Sequence, residues 1–150
     1  MKWLALLLLA GAVSTVRAET VMICYNYGCL AEAEARFDEQ QLGRVQKLLA
    51  AAGSAEEERA GLSLAVGWLL TWAGQQTPIA ADRGGNYADD AVFGRMDCID
   101  HSTTTTRLLR LLEARGWLRF HGVLDPALRL RFLLFMHYSA QIEELAADQA

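Results

Sequence analysis

Two helix-start signatures stand close together in this chain, and they constrain its fold more than any other feature. Asp38 is followed three residues later by Gln41, and Ser54 by Glu57. In each pair the first side chain takes a backbone N–H of the opening turn while the second reaches back to the cap. Leu42, Val45, Leu49 and Ala52 then recur on one helical face, and Gly53 is placed to end that helix in a left-handed conformation. Glu56, Glu57 and Glu58 open the next helix, where negative charge suits the positive end of the dipole. Leu62, Leu64, Val66, Trp68, Leu69, Leu70 and Trp72 leave it apolar nearly all round, as expected of a central buried helix. Gly61 and Gly67 lower its helix propensity and give room for a close neighbour.

The N-terminus reads as an address. Lys2 precedes the apolar run Trp3 to Val13, and Val16-Arg17-Ala18 resembles a cleavage site. A membrane-spanning helix needs about 20 apolar residues, which this run lacks. The expected organisation is a signal peptide over 1–18 and one exported domain over 19–150. No later stretch is apolar and long enough to span a membrane, so the product is expected to be periplasmic or extracellular. At 150 residues the chain has room for one domain. A net charge of −4 argues against a general nucleic-acid binder with a basic face.

An oxidising compartment permits disulfides. The chain has Cys24, Cys29 and Cys98, so at most one internal bridge forms and one thiol is left over. Cys24 and Cys29 flank Tyr25-Asn26-Tyr27-Gly28, a turn-forming stretch that can bring the sulfurs together. A Cys24–Cys29 bridge is the expectation, with a bond from Cys98 to either one as the alternative.

Ala31 to Arg36 is rich in Ala and Glu and receives no assigned element. Residues 73–93 read as a long polar connection broken by Pro78, Gly84 and Gly85. Asp82, Asn86, Asp89 and Asp90 within it are spaced only loosely like a cation loop, and a solvated loop is the expectation. A helix is expected from Asp97 or Asp100 to Arg115, ended by Gly116. Trp117 to His121 reads as a short strand, Asp125-Pro126 as a turn, and Leu128 to Ile142 as a strand with Leu128, Leu130, Phe132, Leu134, Met136 and Tyr138 facing a core. The expected fold class is α+β: N-terminal helices followed by a helix and an antiparallel β-hairpin. Arg107, Arg110, Arg115, Arg119, Arg129 and Arg131 make the C-terminal half basic. A solvated face with internal ion pairs is expected, with an anionic partner as the alternative.

The chemistry concentrates in Gly94 to Thr103. Cys98 falls at a helix start, where open N–H groups and the positive dipole end favour a thiolate, which is the nucleophilic form. Cys98, His101, Thr105, Leu108 and Leu112 share one stripe at steps of three and four, with the apolar end buried. A thiolate nucleophile needs a base, generally a histidine. His101, His121 and His137 are the candidates, and His137, mid-strand on the parity opposite the core row, is favoured. These histidines with Cys98 also make a weaker candidate metal set. No metal and no cofactor is expected.

A Cys at a helix start followed by a strand pair with a His on the second strand resembles the core of papain-like and transglutaminase-like thiol enzymes. The resemblance covers Gly94 to Glu144 and rests on order and context. By position it implies Cys98 as nucleophile and His137 as base. The family adds an Asp or Asn on a following strand to orient the His. Asp148 is the only aspartate after His137, and Asp97 or Asp100 are the alternatives. Two functions are therefore carried forward. One is an exported cysteine-dependent hydrolase or acyl-transfer enzyme acting on a peptide or amide, in the cell wall or a protein. The other is a non-catalytic secreted domain, structural or binding, with Cys24–Cys29 as a staple.

Overall fold

The computed structural model describes residues 18–84, 92–131 and 135–146. The expected signal peptide, except Ala18, lies outside the described residues, as do Asn86, Asp89, Asp90, Phe132, Leu133, Leu134 and Asp148. The element order is β1 (Glu19–Tyr25), β2 (Ala31–Phe37), α1 (Glu39–Ala50), α2 (Ala55–Gly74), a short 3-10 turn at Pro78–Ala81, α3 (Cys98–Ala114), β3 (His121–Arg131) and β4 (Phe135–Glu144). The class is α+β, with two antiparallel hairpins, β1–β2 and β3–β4. The expectation that helices come first is corrected, because a hairpin precedes them. Its second strand alternates strictly. Ala35 and Phe37 are buried, while Glu32, Glu34 and Arg36 are exposed.

Both helix-start signatures act as expected. Asp38 and Gln41 form a reciprocal capping box, and Ser54 takes the N–H of Glu57. Gly53 does not supply a left-handed stop. Ala51 caps α1 in the right-handed region, and the Gly53 N–H is taken by Glu57. Gly61 is where α1 comes close: a Cβ there would lie 3.3 Å from a Leu49 methyl. Gly67 has open space around it. The second helix is not the central one. It buries Leu62, Ala65, Leu69 and Ala73 but leaves Leu64 and Trp68 exposed. The central element is α3, which packs against β1, β3, β4 and α2. Its Leu108 and Leu112 are fully buried in one core with Ile23, Phe37, Val45 and Leu69. Gly116, at φ +68°, ends α3 in a paired left-handed cap: its own N–H bonds to Glu113 and the Trp117 N–H to Leu112.

The C-terminal hairpin differs from expectation in three places. The expected strand over Trp117 to His121 contributes only His121 to β3. Asp125-Pro126 is no turn but lies inside β3, where the register shifts between Leu124 and Ala127. Proline has no N–H to give a ladder, so the strand bulges there. The expected strand Leu128 to Ile142 is divided between β3 and β4, with Leu128 opposite Tyr138 and Arg129 opposite His137. Its supposed core row is open: Leu130 is 59% and Met136 69% exposed. Among the described residues of the hairpin, Val123, Ala140 and Ile142 join the core.

Three of the six arginines of the C-terminal half pair with carboxylates within the molecule. Arg107 meets Glu32, Arg110 meets Glu113, and Arg115 meets both Glu19 and Glu39. No helix among the described residues is long and apolar enough to cross a membrane.

Candidate functional site

A cleft of about 690 Å³ opens at the N-terminus of α3. Cys98, His101 and Thr105 line it from the helix, and Met136, His137 and Tyr138 from β4. Tyr27 and Met96 also border it. The two residues singled out for catalysis, Cys98 and His137, therefore share one cavity. His121 does not line it. It is buried at the foot of β3, with Nδ1 2.9 Å from the Glu58 carboxylate.

The start of α3 is held by two aspartates with different tasks. Asp97 is the N-cap, and one oxygen accepts the N–H groups of Ile99 and Asp100, both at 2.9 Å. Its other oxygen accepts the Gly28 N–H at 3.0 Å. Asp100 is wholly buried and accepts from Tyr27 at 2.8 Å, Cys29 at 2.6 Å and Asp97 at 3.1 Å, all backbone N–H groups. Burial pushes the Asp100 carboxyl up from its ordinary value, against those donors. Neither aspartate touches a histidine, so neither fills the orienting role the family resemblance left open.

What they hold is an unusual turn. Asn26, Tyr27, Gly28 and Cys29 all have φ between 57° and 68°. A left-handed conformation costs about 1–2 kcal/mol for each residue other than glycine. The turn persists because it is tied on every side. The expected Cys24–Cys29 disulfide closes it, the two aspartates take its N–H groups, and Asn26 exchanges bonds with Gly94 and Arg95. Thr104 of α3 accepts the Cys24 N–H at 3.0 Å. Tyr27 is thereby fixed at the cleft.

Cys98 is the free cysteine and is partly exposed. Among the described residues its thiol makes no hydrogen bond. Asp97 occupies the next two amides of the first turn, so the Cys98 N–H is the open one at the helix start. That leaves one preorganised donor, where the sequence suggested several. His137 is exposed, and among the described residues its ring also has no hydrogen-bond partner.

His101 differs. Its Nε2 lies 3.0 Å from Asp82 Oδ2, and Asp82 Oδ1 accepts the Met96 N–H at 3.0 Å. Asp82 was legible only as one oxygen among several in a polar loop. Its pairing with a histidine nineteen residues along the chain needs the fold. The one metal-like grouping among the described residues is Cys24, Cys29 and Glu32, and there both sulfurs are committed to the disulfide. The candidate metal set of Cys98 with the histidines is not such a grouping among the described residues. Comparison of the chain with known protein families, with characterised proteins and with solved structures gives no match.

Proposed function

We propose that this chain is an exported thiol hydrolase or acyl-transfer enzyme acting on a peptide or amide bond in the cell wall or a protein. The observation that carries the reading is the shared cleft. A free cysteine at a helix N-terminus and a strand histidine line one open cavity. Cys98 attacks the acyl carbon, and His137 moves the proton. The Cys98 N–H, left open at the helix start, is the donor available to an oxyanion. The two side chains make no hydrogen bond to each other, and catalytic contacts of this kind often tighten only with substrate. Export to a periplasmic or extracellular space agrees with the Cys24–Cys29 disulfide, which an oxidising compartment preserves.

The test is the rate of Cys98 alkylation by iodoacetamide across pH, with the labelled peptide identified by mass. Labelling below neutral pH that slows in His137→Ala supports a paired thiolate. Cys98 that stays unlabelled until the protein unfolds returns the chain to a non-catalytic secreted domain.

A further inference from the structure

The cleft holds two imidazoles, and only one of them is oriented. His137 stands on β4 with Arg129 as its cross-strand neighbour, and among the described residues its ring has no hydrogen-bond partner. His101 is one helical turn from Cys98, at a spacing of three that makes the two side chains neighbours on the helix surface. Asp82 holds His101 through Nε2 and is itself fixed by the Met96 N–H. A carboxylate oxygen accepts, so in this contact Nε2 is the donor, which in the neutral ring leaves Nδ1 as the acceptor. A nucleophile, a neighbouring base and a third group that orients the base is the arrangement that activates a thiol. The other ionisable groups lining the cleft are Tyr27, Arg83, Asp97 and Tyr138. Both oxygens of Asp97 are taken by backbone N–H groups, so Asp82 is the carboxylate that serves His101.

We propose that His101, oriented by Asp82, is a second proton acceptor for Cys98, acting from the helix side of the cleft. The proposal rests on the thiol-enzyme reading and adds a residue pair that the family resemblance does not supply. In the step, the Cys98 S–H bond breaks and an N–H bond forms at Nδ1. The sulfur then bonds to the acyl carbon as the C–N bond breaks, and the leaving nitrogen takes the proton from the imidazolium. Water next cleaves the C–S bond, which releases the acid and returns a proton to sulfur. Asp82 is a positioning residue, because it acts only through His101.

The experiment compares iodoacetamide labelling of Cys98 at pH 7 and pH 10 in the native protein, Asp82→Asn, His101→Gln and His137→Ala. Asn at 82 keeps the oxygen that takes the Met96 N–H, so the backbone there stays tied. Both Asp82→Asn and His101→Gln are expected to slow labelling about tenfold at pH 7, less than the roughly 10²–10⁴-fold of a sole positioned base because His137 remains. At pH 10 any accessible thiol is ionised, and both are expected to match the native rate. A purely structural role would lower both rates together. Native-rate labelling at pH 7 in the two variants, or equal slowing at both pH values, overturns the proposal. If His137→Ala is slow while those two are not, His137 is the sole base and the thiol-enzyme reading stands without this pair. If the native protein itself resists labelling until it unfolds, the thiol-enzyme reading falls, and the pair with it.

Discussion

Asp100 should be the residue on which the geometry of the cleft most depends. Its carboxylate takes three backbone N–H groups, two of them from the left-handed turn, at 2.6–3.1 Å. A hydrogen bond to a charged group contributes about 1.5–3 kcal/mol net. Two corrections lower the sum. The donors are only partly buried, so water reaches some of them once the carboxylate is gone, and burial already opposes ionisation of Asp100. We therefore expect Asp100→Ala to cost about 3 kcal/mol, a large share of the 5–15 kcal/mol typical of a domain. Asp100→Asn keeps one oxygen for the Tyr27 and Asp97 donors but turns an NH2 toward the Cys29 N–H, for a loss of about 1–2 kcal/mol. The pH dependence has a definite sign. The folded-state pKa is raised above 3.8, so this group's contribution is complete below that pH and is lost as pH rises through the folded value. The gap between the native protein and the Asn variant should therefore be wider at pH 3 than at pH 7. Urea unfolding followed by tryptophan fluorescence measures both. A loss under about 1 kcal/mol for Asp100→Ala, or equal losses for Ala and Asn, would refute the reasoning.

Glu58→Ala should cost about 3–5 kcal/mol in the same assay, because the buried carboxylate takes the Arg119 and Phe120 N–H groups and the His121 ring. Glu113 behaves oppositely to Asp100. Burial alone would raise its pKa, but the Val123 N–H and Arg110 outweigh it and hold the group below 4.5. Its contribution is present above that pH and is lost on acidification through the lower folded value, so Glu113→Gln should flatten the acid limb of a stability–pH curve. Replacing Cys24 and Cys29 together by Ala should cost about 2 kcal/mol, the chain-entropy value for so short a loop, read as a fall in urea midpoint.

The parts of this fold that were legible in the sequence are those whose signal is local. The Asp38–Gln41 and Ser54–Glu57 caps, the Gly116 stop and the Cys98 helix start each depend on residues within a turn of one another. The stripe from Cys98 to Leu112 also held, since its period matches a helix and its apolar end is buried. The N-terminal hairpin is not legible in the sequence because Ala and Glu favour helices, and their propensity masks a strict alternation over Ala31 to Phe37. The C-terminal hairpin is hard to place from sequence because no Gly, Asn or Pro stands between Arg131 and Phe135, while Asp125-Pro126, which looks like a turn, is a bulge. Central burial of α2 was inferred from composition, but Leu64 and Trp68 show that only one of its faces is covered. At the site, Cys98 and His137 could be named from chain order, whereas the Asp82–His101 pair depends on how the connection after α2 folds back onto α3.

The most direct test of the central claim is a mass spectrum of the native protein after brief mixing with p-nitrophenyl acetate at neutral pH. A thiol enzyme predicts an acetyl group on Cys98, formed faster than on an unstructured cysteine peptide and slowed in His137→Ala. Acetylation of Cys98 no faster than that peptide, or no acetylation of Cys98 at all, would contradict it.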